Sequence, residues 1–100
     1  MKKNMFVSAR RYEGVTDPDE AARKVDELFV PLISSLPGFV EYYWIDLGGG
    51  AMMSITVFKT LSEAIAANEK SRIWVKQHLG AILSASVRTE AGPIVAYSRK

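Results

Sequence analysis

The sequence predicts one α+β domain spanning residues 1–100, in which two helices cover one side of an antiparallel, four-stranded sheet. Three observations predict it. Two segments carry helix-start signals followed by apolar residues at three- and four-residue spacing. Two strand-like runs flank three consecutive glycines, and a further strand-like run stands near each end of the chain. With 100 residues and 48% hydrophobic content, the chain suffices for one modest core.

The first strand is expected over Met5 to Tyr12. At Asp17-Pro18-Asp19-Glu20 an N-cap acceptor precedes a proline, whose missing N–H costs nothing at the first helical position. Glu20, at N3, can reach back to the cap. Ala21, Val25, Leu28, Phe29, Leu32, Ile33 and Leu36 then form one apolar stripe that ends at Pro37-Gly38. Pro31 cannot donate to the Glu27 carbonyl, which predicts a kink in one helix rather than two separate helices. Phe39 to Leu47 and Ala51 to Lys59 are rich in aromatic, β-branched and Met residues. Between them Gly48-Gly49-Gly50 supplies the positive φ angles of a tight reversal, so the pair reads as a hairpin. Phosphate cradling by these glycines would need a following Lys-Ser or Lys-Thr and a helix, and neither is there. Asp46 reads as a turn residue.

Thr60-Leu61-Ser62-Glu63 is a second cap with Glu at N3. Its helix is expected to run to His78 or Leu79, with Leu61, Ala64, Ile65, Asn68, Ser71, Val75 and Leu79 inward, and to stop at Gly80. Ala81 to Ser86 reads as an extra turn or an irregular connection, and the last strand as Thr89 to Ser98. The order β-α-β-β-α-β is the ferredoxin-like split βαβ arrangement.

Composition excludes several classes. No apolar run approaches the roughly 20 residues that cross a bilayer, the longest being Leu28 to Ile33. Lys2 and Lys3 pass straight into Met5-Phe6-Val7-Ser8-Ala9-Arg10, too short and too charged for a signal-peptide core. The chain has no cysteine, hence no disulfide and no thiolate metal site. A cytoplasmic protein with no membrane partner is the expectation. Thirteen basic and eleven acidic residues leave a charge of +2. The cations Lys2, Lys3, Arg10, Arg11, Arg99 and Lys100 lie near the chain ends, which offers little phosphate affinity. The strand Ala51 to Phe58 also lacks the paired aromatics and leading basic residue of an RNA-binding sheet, so no nucleic-acid partner is expected. One histidine and no cysteine leave no metal site in view, and no serine sits in a nucleophile elbow.

Strand parity carries the functional argument. One set contains Val7, Ala9, Phe39, Tyr43, Ile45, Met53, Ile55 and Val57. The other contains Ser8, Arg10, Tyr12, Val40, Tyr42, Trp44, Asp46, Met52, Ser54, Thr56 and Phe58. Strict alternation turns the first set to the helices and the second to water. Yet Tyr42, Trp44, Phe58 and Met52 make that outer set too oily for solvent, which marks an interface or a ligand groove. Two such sheets packed face to face would shelter both patches and enclose polar groups between them.

Leu36-Pro37-Gly38-Phe39-Val40 with Tyr42, Val57-Phe58-Lys59-Thr60 with Glu63-Ala64, and Trp74-Val75 follow one another on this element order. In this the chain resembles the dimeric α+β barrel superfamily, especially its antibiotic-biosynthesis-monooxygenase-like branch, over Met5 to Tyr97. The resemblance implies a homodimer whose sheets form a barrel. It also implies a small aromatic or hydrophobic ligand held between the sheet and the second helix. Members include cofactor-less monooxygenases of phenolic polyketides, haem-degrading enzymes and proteins of unassigned role. Many relatives carry a His where this chain has Asn68, so a mechanism built on that His does not transfer.

The candidate catalytic residues are Arg10, Asn68, Trp74 and His78, and the candidate ligand-binding residues are Tyr12, Tyr42, Trp44, Met52 and Phe58. Cofactor-less oxygenation asks the protein only to bind a phenolate, stabilise its charge and exclude water. Arg10 can serve as the fixed cation, Asn68 as a neutral hydrogen-bond partner and the tyrosines as donors, with Trp44 and Trp74 as stacking walls. His78 is a candidate base or, as an Asn4 or Asn68, Trp74 and His78 set, a haem neighbour. Each residue has a structural reading beside the functional one. Trp74 can be helix-to-sheet core, Tyr42 and Trp44 interface packing, Arg10 half of an ion pair, and His78 an imidazole at a helix C-terminus. The sequence leaves two functions open: a cofactor-independent monooxygenase, and a non-catalytic barrel that binds or carries a small hydrophobic molecule.

Overall fold

The computed structural model describes residues 5–83 and 86–100. Lys2, Lys3 and Asn4, and residues 84–85 within the expected connection after the second helix, lie outside the described residues. The elements follow the expected order: β1 Phe6–Tyr12, a first helix over residues 18–34, β2 Phe39–Gly48, β3 Ala51–Phe58, a second helix Leu61–Leu79, and β4 Arg88–Pro93. The four strands form one antiparallel sheet in the order β2-β3-β1-β4. It is a ferredoxin-like α+β fold.

Both helix starts are capped as their sequences require. Asp17 Oδ1 accepts from Glu20 N at 3.1 Å, and Thr60 Oγ1 accepts from Glu63 N at 3.2 Å while donating to Glu63 Oε1 at 3.0 Å. Glu20 does not reach back to its cap; its carboxylate is held by Arg23 at 2.7 Å. The first helix is continuous but changes pitch, being α over Pro18–Lys24, π over Val25–Phe29 and α over Val30–Ser34. Pro31 withholds the N–H that Glu27 would accept, and a wide turn just before it absorbs the defect. The buried stripe is therefore Ala21, Val25, Phe29 and Ile33, whereas Leu28 and Leu32, expected inward, are exposed.

In the hairpin Gly48, Gly49 and Gly50 all take positive φ, at 88°, 63° and 84°. Asp46 Oδ1 accepts from Gly48 N at 2.9 Å, closing the turn as expected. The second helix buries Ala64, Ala67, Trp74 and Leu79, while Leu61 and Ile65 stand in solvent despite their expected inward placement. β4 is shorter than expected: Ile94 N still donates to the Met5 carbonyl at 2.7 Å, and beyond it the chain leaves the sheet. Arg99 then bonds Glu41 on β2 at 2.7 Å, at the far edge from β4, so the tail crosses the open side of the sheet.

Strict alternation assigns the two faces the wrong way round. Tyr12, Met52 and Phe58 join Val25, Phe29, Ile33 and Trp74 in the core beneath the helices, with Tyr42 and Trp44 packed against it. The open side carries Val7, Ala9, Tyr43, Ile45, Met53 and Ile55. Two causes combine. A register shift between Phe39 and Glu41 puts Phe39, opposite Phe58, on the same side as Tyr42 and Trp44. And the helix side holds the polar residues Ser8, Ser54 and Thr56, all buried, which imitate a solvent face. The aromatic patch thus needs no second copy to shelter it, since the chain's own helices do so.

Candidate functional site

The antiparallel register lines up two rows of side chains across the helix side of the sheet. Tyr42, Thr56 and Ser8 stand opposite one another in one row, and Trp44, Ser54, Arg10 and Thr89 in the next. Above them the second helix presents Asn68, Ser71 and Val75 on successive turns, a spacing that keeps them on one side. Phe29 closes the end under the first helix, with its ring 5.2 Å from Tyr42 and 4.9 Å from Trp74. Between these walls lies a recess of about 10 Å³, room for a single water. It adjoins a larger basin of about 480 Å³, with Arg10, Tyr12 and Val75 common to both walls.

The polar groups of the recess are held in place. Arg10 Nη2 donates to the Asn68 carbonyl at 3.1 Å, and Ser8 Oγ donates to Asn68 Oδ1 at 3.0 Å. With Oδ1 engaged, the Asn68 amide keeps its N–H donors for another partner. Trp44 packs on Tyr12 with ring centroids 5.5 Å apart, and its Nε1 is buried with no hydrogen-bond partner among the described residues. A buried donor of this kind calls for a partner, and a water or ligand group in the recess that Trp44 lines would supply one. Burial drives both tyrosines above the ordinary value of 10.0. Tyr12 Oη is opposed by the nearby Arg10 charge; Tyr42 Oη is raised further by Tyr12 and opposed by Arg10. Both are therefore neutral hydroxyl donors at neutral pH, facing one fixed cation.

The structure brings together five of the nine candidate residues: Arg10, Tyr12, Tyr42, Trp44 and Asn68. It leaves four outside. Met52 and Phe58 are sealed in the core. Trp74 is core as well, between Phe29 and His78. His78 is exposed at the helix end, stacked on Trp74 at 4.6 Å with Nδ1 3.1 Å from the Trp74 carbonyl oxygen. It lines neither the recess nor the basin, so it is not placed to act there as a base, and Asn68, Trp74 and His78 do not converge as a haem-binding set. Phe29, Ser54 and Thr56 also line the recess; the sequence reading puts Phe29 on the first helix's apolar stripe and Ser54 and Thr56 on the strand face of Tyr42 and Trp44, without naming any of them as a candidate. Their signal was present: polar side chains beneath a helix, and an inner helix face less apolar than its neighbour.

No family model matches the chain, and no curated relative does. Solved structures do. A Nitrosomonas europaea protein of unknown function superposes with a TM-score of 0.76 at 13% identity, covering 98% of this chain and 95% of that one. A Chloroflexus aurantiacus protein whose assignment as an antibiotic biosynthesis monooxygenase is itself provisional gives 0.70 at 14% identity, covering 95% and 97%. A dimeric ferredoxin-like protein from an uncultured marine organism gives 0.70 at 10% identity, covering 98% and 94%. The likeness establishes the fold, a ferredoxin-like α+β domain, as expected from the sequence. Among the described residues no helix is long and apolar enough to cross a membrane.

Proposed function

We propose that the recess and its basin bind a small aromatic or quinone-like compound and that the protein oxygenates it without a metal or organic cofactor. The observation that supports this is the convergence of Arg10, Asn68 and the unpaired Trp44 Nε1 with the neutral hydroxyls of Tyr12 and Tyr42, inside a wall of aromatic rings. A phenol oxidised by O₂ to a quinone and water balances with no outside reductant. The ring supplies all four electrons that O₂ takes up, one oxygen atom enters the ring, and the other leaves as water with the two hydrogens the ring loses. The chain's task is to hold the phenolate, with Arg10 opposite its negative charge and hydroxyl or indole donors around the developing oxyanion. Neutral tyrosines donate well there but accept a proton poorly, so the phenolic proton leaves to water, favoured by Arg10.

A second reading has its own observation. Among the described residues neither the recess nor the basin contains a histidine or carboxylate, hence no evident base. Binding or carriage without turnover needs none. Oxygen uptake with a panel of naphthols and hydroxyquinones separates the two. Uptake that Arg10→Ala abolishes supports the oxygenase; ligand binding with no uptake supports the binding protein.

The homodimer implied by the sequence resemblance belongs to this proposal too. It is supported by the apolar open side of the sheet and by the likeness to a dimeric ferredoxin-like protein. No nucleic-acid or membrane partner and a cytoplasmic address complete the reading.

A further inference from the structure

The basin beside the recess is unusual in its charge. Arg72 and Lys76, one turn apart on the second helix, join Arg10 from β1 on its wall, and Thr89 of β4 adds a hydroxyl. No carboxylate lines it among the described residues. Arg72 is paired with Glu69, Nη2 to Oε2 2.6 Å, but Arg10 and Lys76 enter no ion pair among the described residues. Counting Glu69, the concavity still keeps a surplus of two positive charges. Like charges gathered in a cleft repel one another and focus a field that draws in anions. Arg10 donates to the Asn68 carbonyl and also bears on the Tyr12 hydroxyl, and with five N–H donors its guanidinium retains some for a carboxylate. The space of about 480 Å³ lies within the ordinary range of small-molecule sites.

We propose that the ligand is an aromatic acid, whose carboxylate is held by Arg10, Arg72 and Lys76 while its ring lies against Tyr12 at the mouth of the recess. This rests on the aromatic-ligand reading above and adds the charge and orientation of the bound compound. Quenching of the tryptophan fluorescence, checked by calorimetry, is to be measured with two probes that differ only in the acid group, a hydroxynaphthoate and the matching naphthol. The wild type is expected to bind the acid at least about tenfold more tightly, as a charge-assisted contact warrants, with the preference shrinking as salt is raised. Arg72→Gln and Lys76→Gln should each cut that preference about threefold or more, and the double variant should nearly erase it. Arg23→Gln, which removes one positive charge from the outer side of the first helix, should leave it intact. If naphthol binds and the acid binds no better, or the preference survives in the double variant, the acid site is overturned and the aromatic pocket stands. If neither probe binds, both readings fall.

Discussion

Arg10 is the residue on which most of the site turns. It leaves β1 toward the helices and bonds the Asn68 carbonyl, and it borders both the recess and the basin. Arg10→Ala should lower affinity for an aromatic ligand by about tenfold, while costing about 1 kcal/mol of stability for the lost bond to the Asn68 carbonyl. Calorimetric titration and urea unfolding check the two halves; a large stability loss with unchanged binding would make Arg10 a purely structural residue. The tyrosines give an independent test through pH. Burial raises Tyr12 and Tyr42 above 10.0, so below that pH folded and unfolded chains both hold the proton and the contribution is complete. Above it the unfolded chain ionises while the folded one resists, and stability falls with rising pH by ~1.4 kcal/mol per pH unit for each group. Tyr42→Phe should flatten that fall, measured by urea unfolding from about pH 9 to pH 11. An unchanged slope would mean that Tyr42 is solvated in the native protein. Sequence alone could nominate Arg10 and Asn68, because a cation in a strand and a polar residue on an inner helix face are both anomalies. It could not distinguish Trp44 from Trp74, since a wall of the site and a core side chain have the same composition and differ only in what stands opposite.

The elements themselves were legible wherever local chemistry decides them. Caps at Asp17 and Thr60, and glycines with positive φ at the hairpin, act within a few residues and need no partner from elsewhere. What depends on distant partners was not legible. The register shift after Phe39 is fixed by pairing with β3, and it moves Phe39 to the side of Tyr42 and Trp44. β4 ends at Pro93 because the following residues turn across the sheet, which no propensity records. One junction joins both kinds of control. Gly38 has φ +81°, its carbonyl accepts from Lys59 N at 2.8 Å, and the Glu63 carboxylate occupies the space a Cβ would take. Gly38→Ala should therefore destabilise by about 1–2 kcal/mol from the left-handed backbone alone, plus the cost of moving Glu63 off the Thr60 cap. Adding Glu63→Ala should make the further cost of Gly38→Ala smaller, since the steric part vanishes while the backbone part stays. A double-mutant cycle by urea unfolding measures this, and strict additivity would show that the carboxylate yields freely.

For the whole molecule, the consequence of the corrected faces is that the pocket and the open, apolar side lie on opposite sides of the sheet. The recess is lined by residues of β1, β2, β3 and both helices of one chain. The open side is a separate surface, with Ile55 at its centre between Ala9 and Tyr43, and Ile45 and Met53 paired alongside. Its tail-crossed end buries Val57 to 6% exposure, while Tyr43 remains half in solvent at 51%. A sheet side this apolar, with charge confined to Arg11, Arg88, Glu90 and the Glu41–Arg99 pair, suits a second copy packed sheet to sheet. Sedimentation at micromolar concentration should find a particle of two chains. Ile55→Lys, which sets a charge at the centre of each face and brings two together across the symmetry axis, should leave single chains with unchanged far-ultraviolet circular dichroism. Because the recess and basin lie on the helix side, away from the open side, those single chains should keep their affinity for an aromatic ligand to within about twofold, a change of only ~0.4 kcal/mol. Loss of binding on dissociation would instead mean that the partner shapes the site, and a wild type that sediments as one chain would remove the sheet-to-sheet pair.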